Sequence, residues 1–209
     1  MSVLLLGSQS HSRQQLLMQA GIVFIQVPSS ADETACNRNR PIEPLLKDIA
    51  QLKMEHIVLL PGDHPEQRCF VLTADTMSMD VNGVVHGKPK DKQEAIDFLK
   101  LWRQGACTGS AFCLDRRIWV DGGWAIEERI IGYAQAQYTF DVPDDEVERY
   151  FEQSECLDGL KYTQLAGAIA VERFGAQYLG PIQGSYTAIV GLPMFEVRQA
   201  LEEIGFKGS

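Results

Sequence analysis

The chain has 209 residues, 45% hydrophobic and 22% charged, enough to bury the core of one domain or two small ones. Its 28 acidic and 19 basic residues give a formal net charge of −9, a surface that repels duplex DNA and anionic lipid and argues against a nucleic-acid polymer as partner. No apolar run reaches the roughly 18 residues of a membrane span, and the opening Met1-Ser2-Val3-Leu4-Leu5-Leu6-Gly7 lacks a basic leader, so a cytoplasmic protein without a membrane segment is expected.

In chain order, Val3 to Leu6 is a short apolar run ended by Gly7 and predicts a strand. A polar turn, Ser8 to Ser12, leads into a helix over Arg13 to Ala20, stopped by Gly21. Ile22 to Val27 predicts a second strand. A long helix is expected over Pro41 to Leu60, with Leu45, Leu46, Ile49, Leu52, His56 and Leu59 on or near one face. Phe70 to Thr73 predicts a buried strand, and Met77 to Val85 a hairpin around Asn82-Gly83. A helix over Asp91 to Trp102 follows, then strands over Cys107 to Leu114, Arg117 to Val120 and Ile130 to Phe140, with a turn at Asp121-Gly122-Gly123. A helix from Asp144 to Gln153, a strand from Gly167 to Val171 and an amphipathic helix from Pro193 to Ile204 complete the pattern. Mixed βα units and antiparallel strands predict an α/β fold with a mixed sheet flanked by helices.

Four segments carry residues suited to chemistry. Gly7-Ser8-Gln9-Ser10-His11-Ser12-Arg13 lies between a strand and a helix, where free N–H groups, the hydroxyls of Ser8 and Ser10 and the Arg13 fork can hold an anion. The same residues also make an ordinary helix N-cap followed by a surface arginine. Asp32-Glu33 offers oxygen ligands for a divalent cation, or forms a solvated acidic loop. Lys53 lies on the long helix, where most lysines face water. Asp75 stands where an apolar strand is expected to end, and Lys88 sits between Gly87 and Pro89, a carboxylate and a cation suited to hydrolysis. Lys88-Pro89-Lys90-Asp91 also reads as the plain approach to the next helix. The histidines His11, His56, His64 and His86 have no zinc-binding spacing, and the five scattered cysteines read as reduced thiols.

Seven short blocks, in order from about residue 3 to 204, make the chain resemble the Maf family of nucleoside triphosphate pyrophosphatases. Leu5-Leu6-Gly7-Ser8-Gln9-Ser10-His11-Ser12-Arg13-Gln14-Gln15-Leu16-Leu17 is similar to the family's opening block. Asp32-Glu33, Ala50-Gln51-Leu52-Lys53, Ala74-Asp75-Thr76 and Gly87-Lys88-Pro89 resemble its next four. Gly167-Ala168-Ile169-Ala170-Val171-Glu172 and Val190-Gly191-Leu192-Pro193 resemble the last two.

That resemblance implies a single domain over residues 1–209, with an elongated mixed sheet, two lobes and a central cleft. It implies hydrolysis of a nucleoside triphosphate between the α and β phosphates, with Mg2+, Mn2+ or Co2+ as cofactor and a homodimer as assembly. Arg13, Lys53 and Lys88 would neutralise the triphosphate, Ser8 and Ser10 would cradle it, and Glu33 and Asp75 would bind the metal. Asp75 would also position or deprotonate the attacking water, and Thr76 and Gln164 would contact the nucleotide. Asp75-Thr76 with Gln164 goes with the dTTP/UTP type of the family, whereas Asp-Gln with a glutamate marks the 7-methyl-GTP type. The chain departs from the pattern at Ser12, at Ala188, in Leu101 to Gly109, which lacks the family's histidine, and in a shortened Glu155 to Ala166. These departures keep a second class in view, a nucleotide-binding regulator of cell division on the same scaffold with weak or no hydrolysis.

Overall fold

The computed structural model describes residues 3–32, 36, 40–62, 67–159 and 161–208. Its elements are β1 (Leu4–Leu6), α1 (His11–Gln19), β2 (Phe24–Gln26), α2 (Ile42–Glu55), β3 (Arg68–Asp80), β4 (Val85–His86), α3 (Lys92–Trp102), β5 (Ala106–Val120), β6 (Gly123–Tyr138), α4 (Val147–Asp158), β7 (Gln183–Gly184), α5 (Tyr186–Val190) and α6 (Met194–Glu203). One seven-stranded sheet runs in the order β2-β1-β3-β5-β6-β7, with β4 paired to β3. β1 is parallel to β2 and to β3, with Leu4 opposite Phe24 on one side and Phe70 on the other. Such parallel pairing needs crossover connections, which α1 and α2 provide. β3 with β4 and β6 with β7 are antiparallel. The predicted mixed α/β class is the one observed. Among the described residues no helix is long and apolar enough to cross a membrane.

The chain divides into two compact units. The first comprises Met1–Asp75, Ser110–Ala134 and Gly191–Ser209, the second Thr76–Gly109 and Gln135–Val190. In the first unit α2 buries Ile42, Leu45, Leu46, Ile49, Ala50 and Met54, the spacing of one helical face. Leu16 and Leu17 of α1 and Val197, Ala200 and Leu201 of α6 are buried in the same unit. The second unit has its own apolar cluster, in which Ala95, Phe98, Leu99 and Trp102 of α3 join Phe140, Tyr150, Phe151, Tyr178 and Ile189. Edge-to-face contacts of Tyr150 with Phe140 and Tyr178, at 5.6 and 5.8 Å, add directionality to that burial. Asp91 caps α3 by accepting the Glu94 N–H at 2.9 Å.

Several predicted boundaries are corrected. The strand expected at Phe70 to Thr73 continues as a 13-residue β3 to Asp80. Its second half is extended because Ser78 and Met79 pair with His86 and Val85 of β4. The two strands expected over Cys107 to Val120 are one, β5. Helix α2 stops at Glu55 rather than Leu60, since Ile57 leaves to bridge Ser29. Asp144 to Glu146 forms a 3-10 turn before α4, which runs to Asp158 and ends at Gly159 in the left-handed region. The strand predicted over Gly167 to Val171 is absent. Gly167 and Ala168 both take positive φ, 63° and 58°, which a strand cannot hold. Three bonds fix this turn: Trp102 Nε1–H donates to Gly167 O (2.7 Å), Tyr150 O–H to Ala168 O (2.8 Å) and Gly167 N–H to Gly87 O (2.8 Å).

The predicted hairpin at Asn82-Gly83 forms, with only Gly83 at positive φ (82°). Asp80 closes it, its carboxylate accepting the N–H groups of Asn82 (2.8 Å) and Val84 (3.0 Å) and pairing with His86 Nε2 (3.1 Å). Burial pushes the Asp80 carboxyl up, but the bonds from His86, Val84 and Asn82 outweigh it and hold the group below its ordinary value. A carboxyl depressed in the folded state stabilises above its unfolded pKa, and that stabilisation is lost as pH falls through the folded value. The melting temperature of the protein is therefore expected to fall more steeply below about pH 4 than that of Asp80→Asn. Parallel melting curves of the two proteins between pH 6 and 2 would remove the hairpin from the acid sensitivity.

Candidate active site

The first turn of the site follows from packing at Gly7. Its N–H donates to Leu72 O at 2.8 Å, so the backbone presses against β3. A Cβ there would lie 2.4 Å from Ile57 Cδ1 and 2.8 Å from Thr73 Cγ2. Gly7→Ala is expected to cost about 1–3 kcal/mol by overpacking, measurable by denaturant titration; an unchanged midpoint would show that Ile57 and Thr73 yield freely.

Beyond Gly7 the chain turns so that Ser8 Oγ accepts from Ser10 N–H (3.3 Å) and from Arg13 Nη1–H (3.0 Å). Arg13 is buried, not a surface residue, and its Nε–H donates to Gly191 O at 2.8 Å. Ser10 occupies the N-cap of α1 but makes no side-chain capping bond. The structure thus gathers Ser8, Ser10 and Arg13 into one polar turn. Of the two sequence readings, the simple cap with a solvent-facing arginine is not realised.

Lys53 leaves the last turn of α2 and reaches β3. Its Nζ donates to Asp75 Oδ1 at 2.7 Å and to Ala74 O at 3.4 Å. The two side chains are only 13% and 11% exposed, so Lys53 is not the solvated lysine of an ordinary helix. Thr73, two residues before Asp75, ties the same strand to α2 by donating Oγ1–H to Ala50 O at 2.7 Å. Asp75 lies within β3 rather than at its end. Its Oδ2 is buried and accepts no hydrogen bond from the described residues. A buried carboxylate oxygen without a donor is costly unless something binds there. An acceptor held in this way can take a proton from water or coordinate a hard cation. Glu33 and His64 lie outside the described residues. Asp32 is exposed, and among the described residues no group of three or more His, Cys, Asp or Glu side chains is arranged so that it could hold a metal ion.

The remaining predicted residues belong to the second unit. Thr76 is half-buried, immediately after Asp75. Lys88 is exposed between half-buried Gly87 and buried Pro89, and makes no hydrogen bond or ion pair among the described residues. Gly87 is fixed through Gly167, which brings the Lys88 loop beside the segment that carries Gln164. Gln164 is exposed, its Oε1 accepting the Lys161 N–H at 2.9 Å.

One cluster escapes the sequence reading. Asp115 of β5 is completely buried and accepts from two arginines. Arg117 donates Nε–H (3.0 Å) and Nη2–H (2.8 Å), and Arg129 donates Nε–H (2.7 Å) and Nη2–H (2.9 Å). The bond to Asp115 holds the Arg129 guanidinium still more firmly charged. Burial pushes the neighbouring Cys69 and Cys113 thiols up to about 11 and about 12, so both stay protonated and unreactive. The only trace in the sequence is Asp115-x-Arg117, two residues that share one face of a strand.

A family model described as Maf-like protein matches residues 3–204. The chain belongs to the Maf-like protein family. It is 31% identical over 210 residues to a dTTP/UTP pyrophosphatase of Syntrophotalea carbinolica, covering 98% of this chain and 86% of the relative. A dTTP/UTP pyrophosphatase of Colwellia psychrerythraea is 30% identical over 207 residues, covering 99% and 90%. One of Acinetobacter baylyi is 30% identical over 199 residues, covering 95% and 98%. The Maf-like blocks of the first unit are the segments that hold the atoms described above. The opening block supplies Ser8 and Arg13, the next helix block Lys53, and Ala74-Asp75 the carboxylate with its backbone neighbour. Val190-Gly191-Leu192-Pro193 contributes the carbonyl that receives Arg13.

Proposed function

We propose that this Maf-like protein hydrolyses a nucleoside triphosphate of the dTTP/UTP type between its α and β phosphates, releasing the monophosphate and pyrophosphate. The observation that carries this reading is Asp75, clamped through Oδ1 by Lys53 while its buried Oδ2 finds no donor among the described residues. Relatives matched over nearly the whole chain are dTTP/UTP pyrophosphatases, which supports the same chemistry.

In this reading the attacking water gives a proton to Asp75 Oδ2 as its oxygen bonds to the α phosphorus, and the bond to the bridging oxygen breaks with pyrophosphate leaving. Lys53 prevents the carboxylate from turning its open oxygen away. Phosphoryl transfer is mostly positioning and charge neutralisation, because the transferred group carries its charge on several oxygens. Arg13 and Lys53 supply positive charge in the first unit, with Ser8 and Ser10 as hydroxyl donors. Lys88 is a further proposed cation for the phosphates, and Thr76 and Gln164 are the proposed nucleotide contacts. A divalent cation such as Mg2+, Mn2+ or Co2+ fits the donor set. Asp75 would offer it a hard carboxylate ligand, Glu33 is the second proposed ligand, and such ions take only one or two carboxylates beside water and phosphate. When bound, the cation would neutralise phosphate charge. The same reading takes residues 1–209 as one functional domain of a cytoplasmic homodimer.

The test is turnover of dTTP, UTP, CTP, GTP and ATP by the purified protein with each of the three metals, in water enriched in 18O. Monophosphate carrying the label, with unlabelled pyrophosphate and a preference for dTTP and UTP, is the expected result. Label in pyrophosphate would move the attack to the β phosphorus. Nucleotide binding without turnover would leave the regulator as the better reading.

A further inference from the structure

Lys53 stands only two residues before the end of α2, and the last four carbonyls of a helix lack partners inside it. The turn that aims this ammonium therefore depends on donors from elsewhere. Leu52 O receives the His56 N–H at 3.2 Å. Lys53 O receives the Ser29 hydroxyl at 2.9 Å, and Met54 O receives Arg117 Nη2–H at 3.0 Å. Arg117 is itself oriented by the buried Asp115, which Arg129 also holds. Arg129 also lies 3.6 Å from Glu55, the last residue of α2.

From this arrangement we infer that Arg117, oriented by Asp115, is a positioning residue for the proposed pyrophosphatase, acting through Lys53 on Asp75, with Ser29 as a second, neutral clamp on the same helical turn. The inference rests on the reading of Asp75 as the group that activates water. Arg117 is suited to the task because a planar fork can hold a carboxylate and a carbonyl together, whereas an ammonium on a flexible stem offers no such fixed geometry. Displacement of a reacting group by about 1 Å can cost on the order of 100-fold in rate, so loosening this turn should act on the chemical step more than on binding.

Arg117→Lys, which keeps the charge beside Asp115, is expected to lower kcat about 10-fold or more with KM changed less than about 3-fold. Ser29→Ala removes one neutral bond and should show a weaker form of the same split; it also keeps the test open if Arg117→Lys does not fold. The decisive comparison uses Lys53→Met. If Arg117 works through Lys53, Arg117→Lys and Ser29→Ala should cost little further kcat, within about twofold, once Lys53 is gone. Unchanged kcat in both clamp variants, or losses that multiply with that of Lys53→Met, would overturn the positioning role while leaving the pyrophosphatase intact. A wild-type protein that turns over no triphosphate would overturn the proposed function, and the positioning role with it.

Discussion

Asp75→Asn is expected to lower kcat by about 10²–10⁴-fold, the usual contribution of a positioned general base, while nucleotide affinity stays within a few-fold. The substitution keeps the shape of the side chain. Lys53 Nζ donates to Oδ1 at 2.7 Å, so the amide of the variant should place its oxygen there and avoid setting two donors face to face. Its NH2 then occupies the position of Oδ2. Where the native protein presents a buried acceptor that no described residue pairs with, the variant presents a donor. Such a group cannot take a proton from water, and it is a poor ligand for a hard cation. Steady-state kinetics with dTTP or UTP, beside calorimetric titration with the same nucleotide, separate the two effects. Equal turnover in both proteins would remove Asp75 from the chemistry. Lost affinity with unchanged kcat would restrict it to binding.

Asp115→Ala is expected to produce the largest loss of stability, about 3–5 kcal/mol, because it leaves two arginines facing each other without their shared carboxylate. The Asp115 side chain is completely buried, and those of Arg117 and Arg129 are 11% and 20% exposed. That residual access to solvent places the effect toward the lower end of the range. For a chain of this size the corresponding fall in melting temperature is on the order of 10 °C. Replacing Asp115, Arg117 and Arg129 together by apolar residues of similar volume should recover much of the loss, since a removed pair leaves no orphan charge. Denaturant unfolding of the single and triple variants gives the comparison. A change below about 1 kcal/mol in Asp115→Ala, the range of exposed ion pairs, would show that the cluster contributes no more than a surface salt bridge.

Much of the fold is legible in local pattern. Leu45, Leu46 and Ile49 recur at helical spacing, and burial of that face defines α2. Asn82-Gly83 and Asp121-Gly122 mark turns because glycine takes positive φ without steric cost, and Gly83 and Gly122 do so at 82° and 78°. The long strands were less readable. A polar Asp75-Thr76 inside β3 looks like a strand end, yet β3 lies between β1 and β5 in the sheet and runs on to Ser78 and Met79, which pair with β4. At Gly167 and Ala168 an apolar run resembles a strand, yet the conformation is imposed by Trp102, Tyr150 and Gly87, none of which is a neighbour in sequence.

Hydrophobic periodicities, turn residues and the ordered blocks that place the chain among Maf-like proteins are all local to the sequence. Each of these is a property of a short window, set by backbone sterics and by alternation between core and solvent. Tertiary structure alone decided the environment of the charges. Arg13 turns inward to a carbonyl 178 positions away, Lys53 meets a carboxylate 22 positions away, and Arg117 reaches a helix end 63 positions away. The field and solvation at an ionised group depend on what folding brings within a few ångströms of it. A lysine on a helix reads the same in sequence whether it faces water or clamps a buried aspartate.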